Sequence, residues 1–250
     1  MRKKLDIRNA MPITKLLPSI VTMAALCVGM TSVRYGFDGR WEHSVLLIIL
    51  AAFLDGIDGR LARYLGVASD FGAQIDSLAD FFNFGVAPAM LIYLWSLNTI
   101  NIGWGIVLVF TICMAIRLAR FNVLSMNKSN SKEQELFFLG VPAPLGGILA
   151  LFPIVLSFEF DSSVATNPWI IAIYVLLVSF ALTSRLRTFS IKKLDVAPEY
   201  VTLLLAGIGL LIAALIIKPW VTIAILSVMY LTSIPVSVWV SCRMVKKSES

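Results

Sequence analysis

Charge is scarce in this chain: only 14% of its 250 residues are ionised at neutral pH, against about a quarter in a soluble domain. With 58% hydrophobic residues and a mean hydropathy of +0.86, that scarcity excludes a water-soluble globule. Histidine occurs once, as His43 at the outer end of an expected helix, which removes a His-based catalytic triad and an imidazole zinc site. The three cysteines, Cys27, Cys113 and Cys242, stand alone in apolar runs without metal or pairing spacing, so they read as small packing residues. There is no internal repeat, no soluble domain and no aromatic-interleaved basic motif. The net charge of +6 therefore points to membrane orientation and away from nucleic acid.

What is present is long apolar sequence. Runs able to span a bilayer fall near 16–35, 44–64, 72–97, 101–124, 141–160, 167–184, 200–217 and 220–242. They predict an all-α, polytopic membrane helical bundle of about eight transmembrane helices. The short Lys218–Pro219 turn favours two final helices over a re-entrant hairpin. Of the 21 Lys and Arg residues, all but Arg34, Arg40 and Lys218 fall on one side of that arrangement, which places both termini in the cytoplasm. The first run lacks a small-residue cleavage site and reads as a retained helix. The basic segment before it, MRKKLDIRNAMP, either rests on the anionic leaflet or only sets topology. The expected organisation is a basic segment over 1–15, a membrane domain over 16–197, two further helices over 198–243 and a tail over 244–250.

Against this background one stretch is anomalous. Residues 55–80, DGIDGRLARYLGVASDFGAQIDSLAD, carry five aspartates between apolar runs. Asp70 lies beside the expected turn near Gly66–Ser69, where it reads as a helix cap. Asp55, Asp58, Asp76 and Asp80 fall within helices, where each carboxylate costs about 2.5–3.5 kcal/mol on insertion scales. Asp55 and Asp58 are three apart, Asp76 and Asp80 four apart, so each pair shares a helix face. About a fold near residue 67, Asp55 mirrors Asp80 and Asp58 mirrors Asp76. Four carboxylates converging between antiparallel helices repel one another unless cations lie between them, and hard divalent ions take oxygen ligands. Two metals in such a cage would suit phosphoryl transfer. Gly59 and Ala62 are small residues beside the first pair, allowing a ring or phosphate to approach. Arg63 could pair with a phosphate, and Gly72 marks a close approach of a helix or ligand.

The pattern Asp55-x2-Asp58-Gly59-x2-Ala62-Arg63-x8-Gly72-x3-Asp76-x3-Asp80 resembles the CDP-alcohol phosphatidyltransferase signature at every fixed position. That resemblance implies a divalent metal, Mg2+ or Mn2+ and two ions, held by the four aspartates. It implies a CDP-linked lipid beside Gly59 and Arg63, release of CMP, and Asp80 as the general base that takes the acceptor's proton. The segments FNFGVAPA, RLARFN and GVPAP, with eight expected spans, look like the bacterial and archaeal phosphatidylserine synthase branch. The implied substrates are then CDP-diacylglycerol and L-serine, with a homodimer in the cell (inner) membrane and the site on its cytoplasmic side. The resemblance covers about residues 14–195.

Further residues carry two readings each. Ser19 and Thr22 share a face of the first helix, and either reach a nucleotide or serve as an N-cap and an embedded hydroxyl. Ser19 stands where many members have Asn. Ser69 either touches the diphosphate or ribose, or caps a helix. Asn83, where the branch often has Ser, lies near the Asp80 face, suited to orienting the acceptor. Arg117 and Arg120 either meet an anionic acceptor group or snorkel to the interface. Phe138–Pro144 re-enters the membrane with irregular backbone, which must be covered by protein or face a cavity. Arg185 and Arg187 complete a basic rim. Three other functions compete: the same chemistry on glycerol 3-phosphate or inositol phosphate, a cation or proton transporter, and a non-catalytic scaffold.

Overall fold

The computed structural model describes residues 16–67, 69–126, 137–139, 141–160, 166–184, 187–189 and 201–248. Helices occupy all eight predicted positions. They are α1 (Leu17–Phe37), α2 (Trp41–Tyr64), α3 (Asp70–Trp95), α4 (Gly103–Met126), a broken pair α5 (Ala143–Ala150) and α6 (Phe152–Ser157), α7 (Pro168–Thr183), α8 (Val201–Ile217) and α9 (Pro219–Ser248). Among the described residues α1, α3 and α4 are each long and apolar enough to cross a membrane. The expectation of a purely helical chain needs one amendment. Strands β1 (Phe137–Leu139) and β2 (Arg187–Phe189) pair antiparallel, with Phe138 opposite Thr188. Pro142 and Pro144 withhold two backbone donors, so the chain enters α5 from this short ribbon.

The α2–α3 hairpin forms where the aspartate stretch predicts it. Gly66 adopts a φ of 62°, Val67 N–H bonds back to Ala62 C=O at 3.1 Å and Gly66 N–H to Arg63 C=O at 3.3 Å. This is the paired closure that ends many helices on a left-handed glycine. Ser69 then caps α3, its Oγ accepting from Gly72 N–H at 3.1 Å. Asp70 is therefore not the cap; it is the first helical residue, where a negative charge favours the helix N-terminus.

α3 runs through the middle of the bundle, contacting α1, α4 and α5. Just after Asp80 its backbone widens into a π-helical segment, Phe81–Val86. Pro88 cannot donate to Phe84 C=O, and the segment absorbs the missing bond by shifting register, with Ala87 N–H bonding to Phe82 C=O. Gly147 of α5 packs on this widened turn; a Cβ there would lie 2.9 Å from the Phe84 Cα and 3.0 Å from its carbonyl oxygen. The apolar core gathers around the same turn, with Phe84, Leu91, Phe110, Met114, Ile154 and Leu182 buried. The fifth predicted run is two helices because Pro153 leaves Leu149 C=O without its helical donor. Tyr174 of α7 supplies one, at 2.8 Å.

The outer faces are apolar and exposed, as in Phe53, Ile112, Leu177 and Leu210, which suits lipid contact. Cys27 also faces outward, while Cys113 is half-buried; Cys27 is thus not the packing residue expected. α8 and α9 are separate helices joined at Lys218–Pro219.

Candidate metal and phosphoryl-transfer centre

Back-folding at Gly66 brings the acidic residues of α2 and α3 together. Asp55, Asp76 and Asp80 each offer a carboxylate oxygen within 4.8 Å of the other two, and the Asp55 and Asp80 groups lie side by side. Asp58 stands next to them and interacts electrostatically with Asp55 and Asp76. It is the most enclosed of the four, at 3% exposure. Its Oδ2 accepts a 2.6 Å hydrogen bond from Thr22 Oγ1 of α1. The mirrored spacing thus produces a three-carboxylate cluster with the fourth anchored at its edge.

The chemistry of this donor set fits a divalent ion. Among the described residues, Oδ1 of Asp58, Asp76 and Asp80 is buried without a hydrogen-bond partner. Buried carboxylate oxygens are rarely left unpaired, and crowding them in a poorly solvated site is unfavourable without a counter-charge. An all-oxygen set of this kind matches Mg2+ or Mn2+.

Beside the carboxylates the α2 surface is open. Gly59 is exposed, and a Cβ placed on it would meet nothing within 4 Å; no packing demand explains a glycine there. Ala62 is half-buried and Arg63 exposed, the Arg63 Nε donating to Gly59 C=O at 3.1 Å. Across the gap, Ser19 of α1 approaches the α3 N-terminus. A Cβ on Gly72 would sit 3.2 Å from Ser69 Oγ and 3.7 Å from Ser19 Oγ. Ser19, Ser69 and Gly72 thus form one small polar edge, with Ser69 engaged as the cap. Thr22 instead points its hydroxyl at Asp58 and at Pro18 C=O.

The arginines of α4 do not snorkel. Arg117 is 8% exposed, donates from Nε to Val141 C=O, and interacts electrostatically with Asp80. Arg120, half-buried, donates to Thr183 C=O at 2.9 Å, the last carbonyl of α7, where a cation is favoured. Asn83 is buried against Gly29 of α1, where a Cβ would fall 2.0 Å from its Oδ1. Arg187 lies in β2, and Arg185 falls outside the described residues.

Comparison with known proteins decides the family. The profile described as CDP-alcohol phosphatidyltransferase matches residues 15–184. The chain belongs to the CDP-alcohol phosphatidyltransferase family. As a member of this transferase family it carries a second match, CDP-alcohol phosphatidyltransferase 2, over residues 199–235, which covers α8 and part of α9. The chain is 37% identical to the CDP-diacylglycerol–serine O-phosphatidyltransferase of Mycobacterium leprae over 90% of this chain and 75% of the relative. It is 31% identical to the protein of that name from Helicobacter pylori over 73% and 76%. A Bacillus subtilis protein of the same name is 33% identical over 71% of this chain and 92% of its own.

Residues that pattern reading passed over also shape the centre. Asn122 Nδ2 donates to Ser77 Oγ at 2.7 Å, tying α4 to the helix of Asp76 and Asp80. Its place in RLARFN was a signal for it. Tyr230 of α9 interacts electrostatically with Arg117; a lone tyrosine in an apolar run offers no sequence signal.

Proposed function

We propose that this transferase moves the phosphatidyl group of CDP-diacylglycerol to the hydroxyl of L-serine, giving phosphatidylserine and CMP. The observation that carries this reading is the carboxylate cluster of Asp55, Asp76 and Asp80 set against the open α2 surface at Gly59. The shared name of the relatives supports serine as acceptor. Asp55, Asp58, Asp76 and Asp80 would hold one or two divalent ions, Mg2+ or Mn2+. When bound, such ions would supply positive charge for the diphosphate and the departing CMP.

The protein's own groups do the rest. The bare Gly59 surface receives the CDP moiety, with Ala62 and Arg63 along one side and Ser19, Ser69 and Gly72 along the other. Thr22 holds Asp58 in orientation through its 2.6 Å bond. Asp80 is the general base: the serine oxygen attacks the lipid-side phosphorus, its proton passes to the Asp80 carboxylate, and the bond from that phosphorus to the CMP oxygen breaks. Arg117, enclosed and electrostatically engaged with Asp80, meets the serine carboxylate. Arg120 acts by packing, since it ends α7; Asn83, whose Oδ1 is buried beside Gly29 without a partner among the described residues, keeps its role of orienting the acceptor.

We place the protein in the cell membrane as a multi-pass bundle of about eight spans, with both termini and the aspartate site on the cytoplasmic side. The Lys and Arg distribution supports that orientation, and a homodimer accords with the family resemblance. The test is product formation by purified protein with CDP-diacylglycerol and Mg2+ or Mn2+, offering serine, glycerol 3-phosphate and inositol phosphate separately. Phosphatidylserine made only with serine, metal and an intact Asp80 is the expected result. Another phospholipid product would overturn the acceptor, and no product from folded protein would return the reading to a transporter.

A further inference from the structure

Among the described residues, Tyr230 of α9 interacts electrostatically with the centre. α9 presents an inward stripe at helical spacing, with Trp220, Ala224 and Ser227 buried and Tyr230 packed on the core, while Ile225, Val228 and Met229 face outward. Its start is pinned by Trp220, edge-on to Phe158, the residue that follows α6, with ring centroids 4.7 Å apart. Three turns along this stripe, the Tyr230 hydroxyl is buried and, among the described residues, has no hydrogen-bond partner. A phenol oxygen sealed from water normally finds a partner. Tyr230 is placed to interact with Arg117, which in turn engages Asp80.

We propose that Tyr230 is a positioning residue of the acceptor site, its O–H donating to the anionic group of the acceptor beside the Arg117 guanidinium. This rests on the transferase reading above and deepens it. A hydroxyl donor and a guanidinium together select an acceptor that carries a negative charge as well as a nucleophilic hydroxyl. α9 is then a wall of the acceptor pocket, joining the carboxylate cluster through Tyr230 and Arg117.

The experiment compares full-length wild type with Y230F, which keeps the ring and removes only the oxygen. Initial rates are measured against serine, against glycerol 3-phosphate and against ethanolamine, an amino alcohol without the carboxylate. The expected result for Y230F is about a tenfold rise in KM for serine, the scale of a lost hydrogen bond to a charged group. The KM for CDP-diacylglycerol stays unchanged, and discrimination between serine and ethanolamine narrows. The thermal midpoint should not fall, because the hydroxyl has no protein partner to lose. An unchanged serine KM, an equal rise in both substrate KM values, or a lowered thermal midpoint would overturn the proposal. If wild type prefers glycerol 3-phosphate, the serine reading fails, and Tyr230 is then judged by whether Y230F raises the KM for that anion. Turnover of no acceptor overturns both.

Discussion

Thr22 on α1 donates a 2.6 Å hydrogen bond to Asp58 on α2, joining the first of the described helices to the edge of the carboxylate cluster. Metal-ligating carboxylates depend on such outer partners for orientation, and their loss typically lowers metal affinity or activity 10–100-fold. T22V should therefore raise the Mg2+ or Mn2+ concentration needed for half-maximal activity by about 10–100-fold, with T22S close to wild type. A metal titration of product formation checks this; a change confined to the KM for CDP-diacylglycerol would instead make Thr22 a nucleotide contact.

Asp80 is expected to be indispensable. D80N keeps the size of the side chain but cannot accept the acceptor's proton, and a lost general base lowers turnover about 10²–10⁴-fold. Chelation with EDTA should silence wild type, and added Mg2+ or Mn2+ should restore it. D80N activity near wild type at saturating metal would refute the base assignment.

Gly59 separates ligand approach from folding. A methyl at this position meets nothing within 4 Å, and alanine is the better helix former by about 1 kcal/mol. G59A should be at least as heat-stable as wild type in detergent, yet show a raised KM for CDP-diacylglycerol. Unchanged kinetics would remove Gly59 from the nucleotide surface.

Gly147 is the opposite case. Its missing Cβ lets α5 press on the Phe84 backbone of the π-helical turn, which cannot give way as a flexible side chain can. G147A should destabilise the bundle by about 1–3 kcal/mol and, by displacing the turn that follows Asp80, lower turnover as well. Thermal unfolding alongside initial rates reads both effects.

Arg120 should prove structural. Its bond to Thr183 C=O carries the strength of a charge-assisted hydrogen bond, about 1.5–3 kcal/mol. R120M should lower the thermal midpoint while leaving the KM for serine unaltered. R117K should raise that KM, because a lysine cannot reproduce the guanidinium's fixed fork.

The sequence by itself determined the eight helical positions, the turn at Gly66 and the meeting of Asp55, Asp76 and Asp80. Hydropathy and helical spacing are local properties, and a short hairpin leaves little freedom in how two adjacent helices pair. The family followed from the same stretch, since its fixed residues lie on that one hairpin. Tertiary structure alone decided the partners that come from far along the chain. It turned Thr22 toward Asp58, committed Arg120 to the end of α7, buried Asn83 against Gly29 and brought Tyr230 toward Arg117. It also made Ser69 the cap in place of Asp70, and set a two-stranded ribbon before α5. An arginine at a helix end reads alike whether it faces lipid headgroups or the interior. Only the packing of α4 against α7 and the entrance to α5 distinguishes the two, because burial depends on what stands opposite.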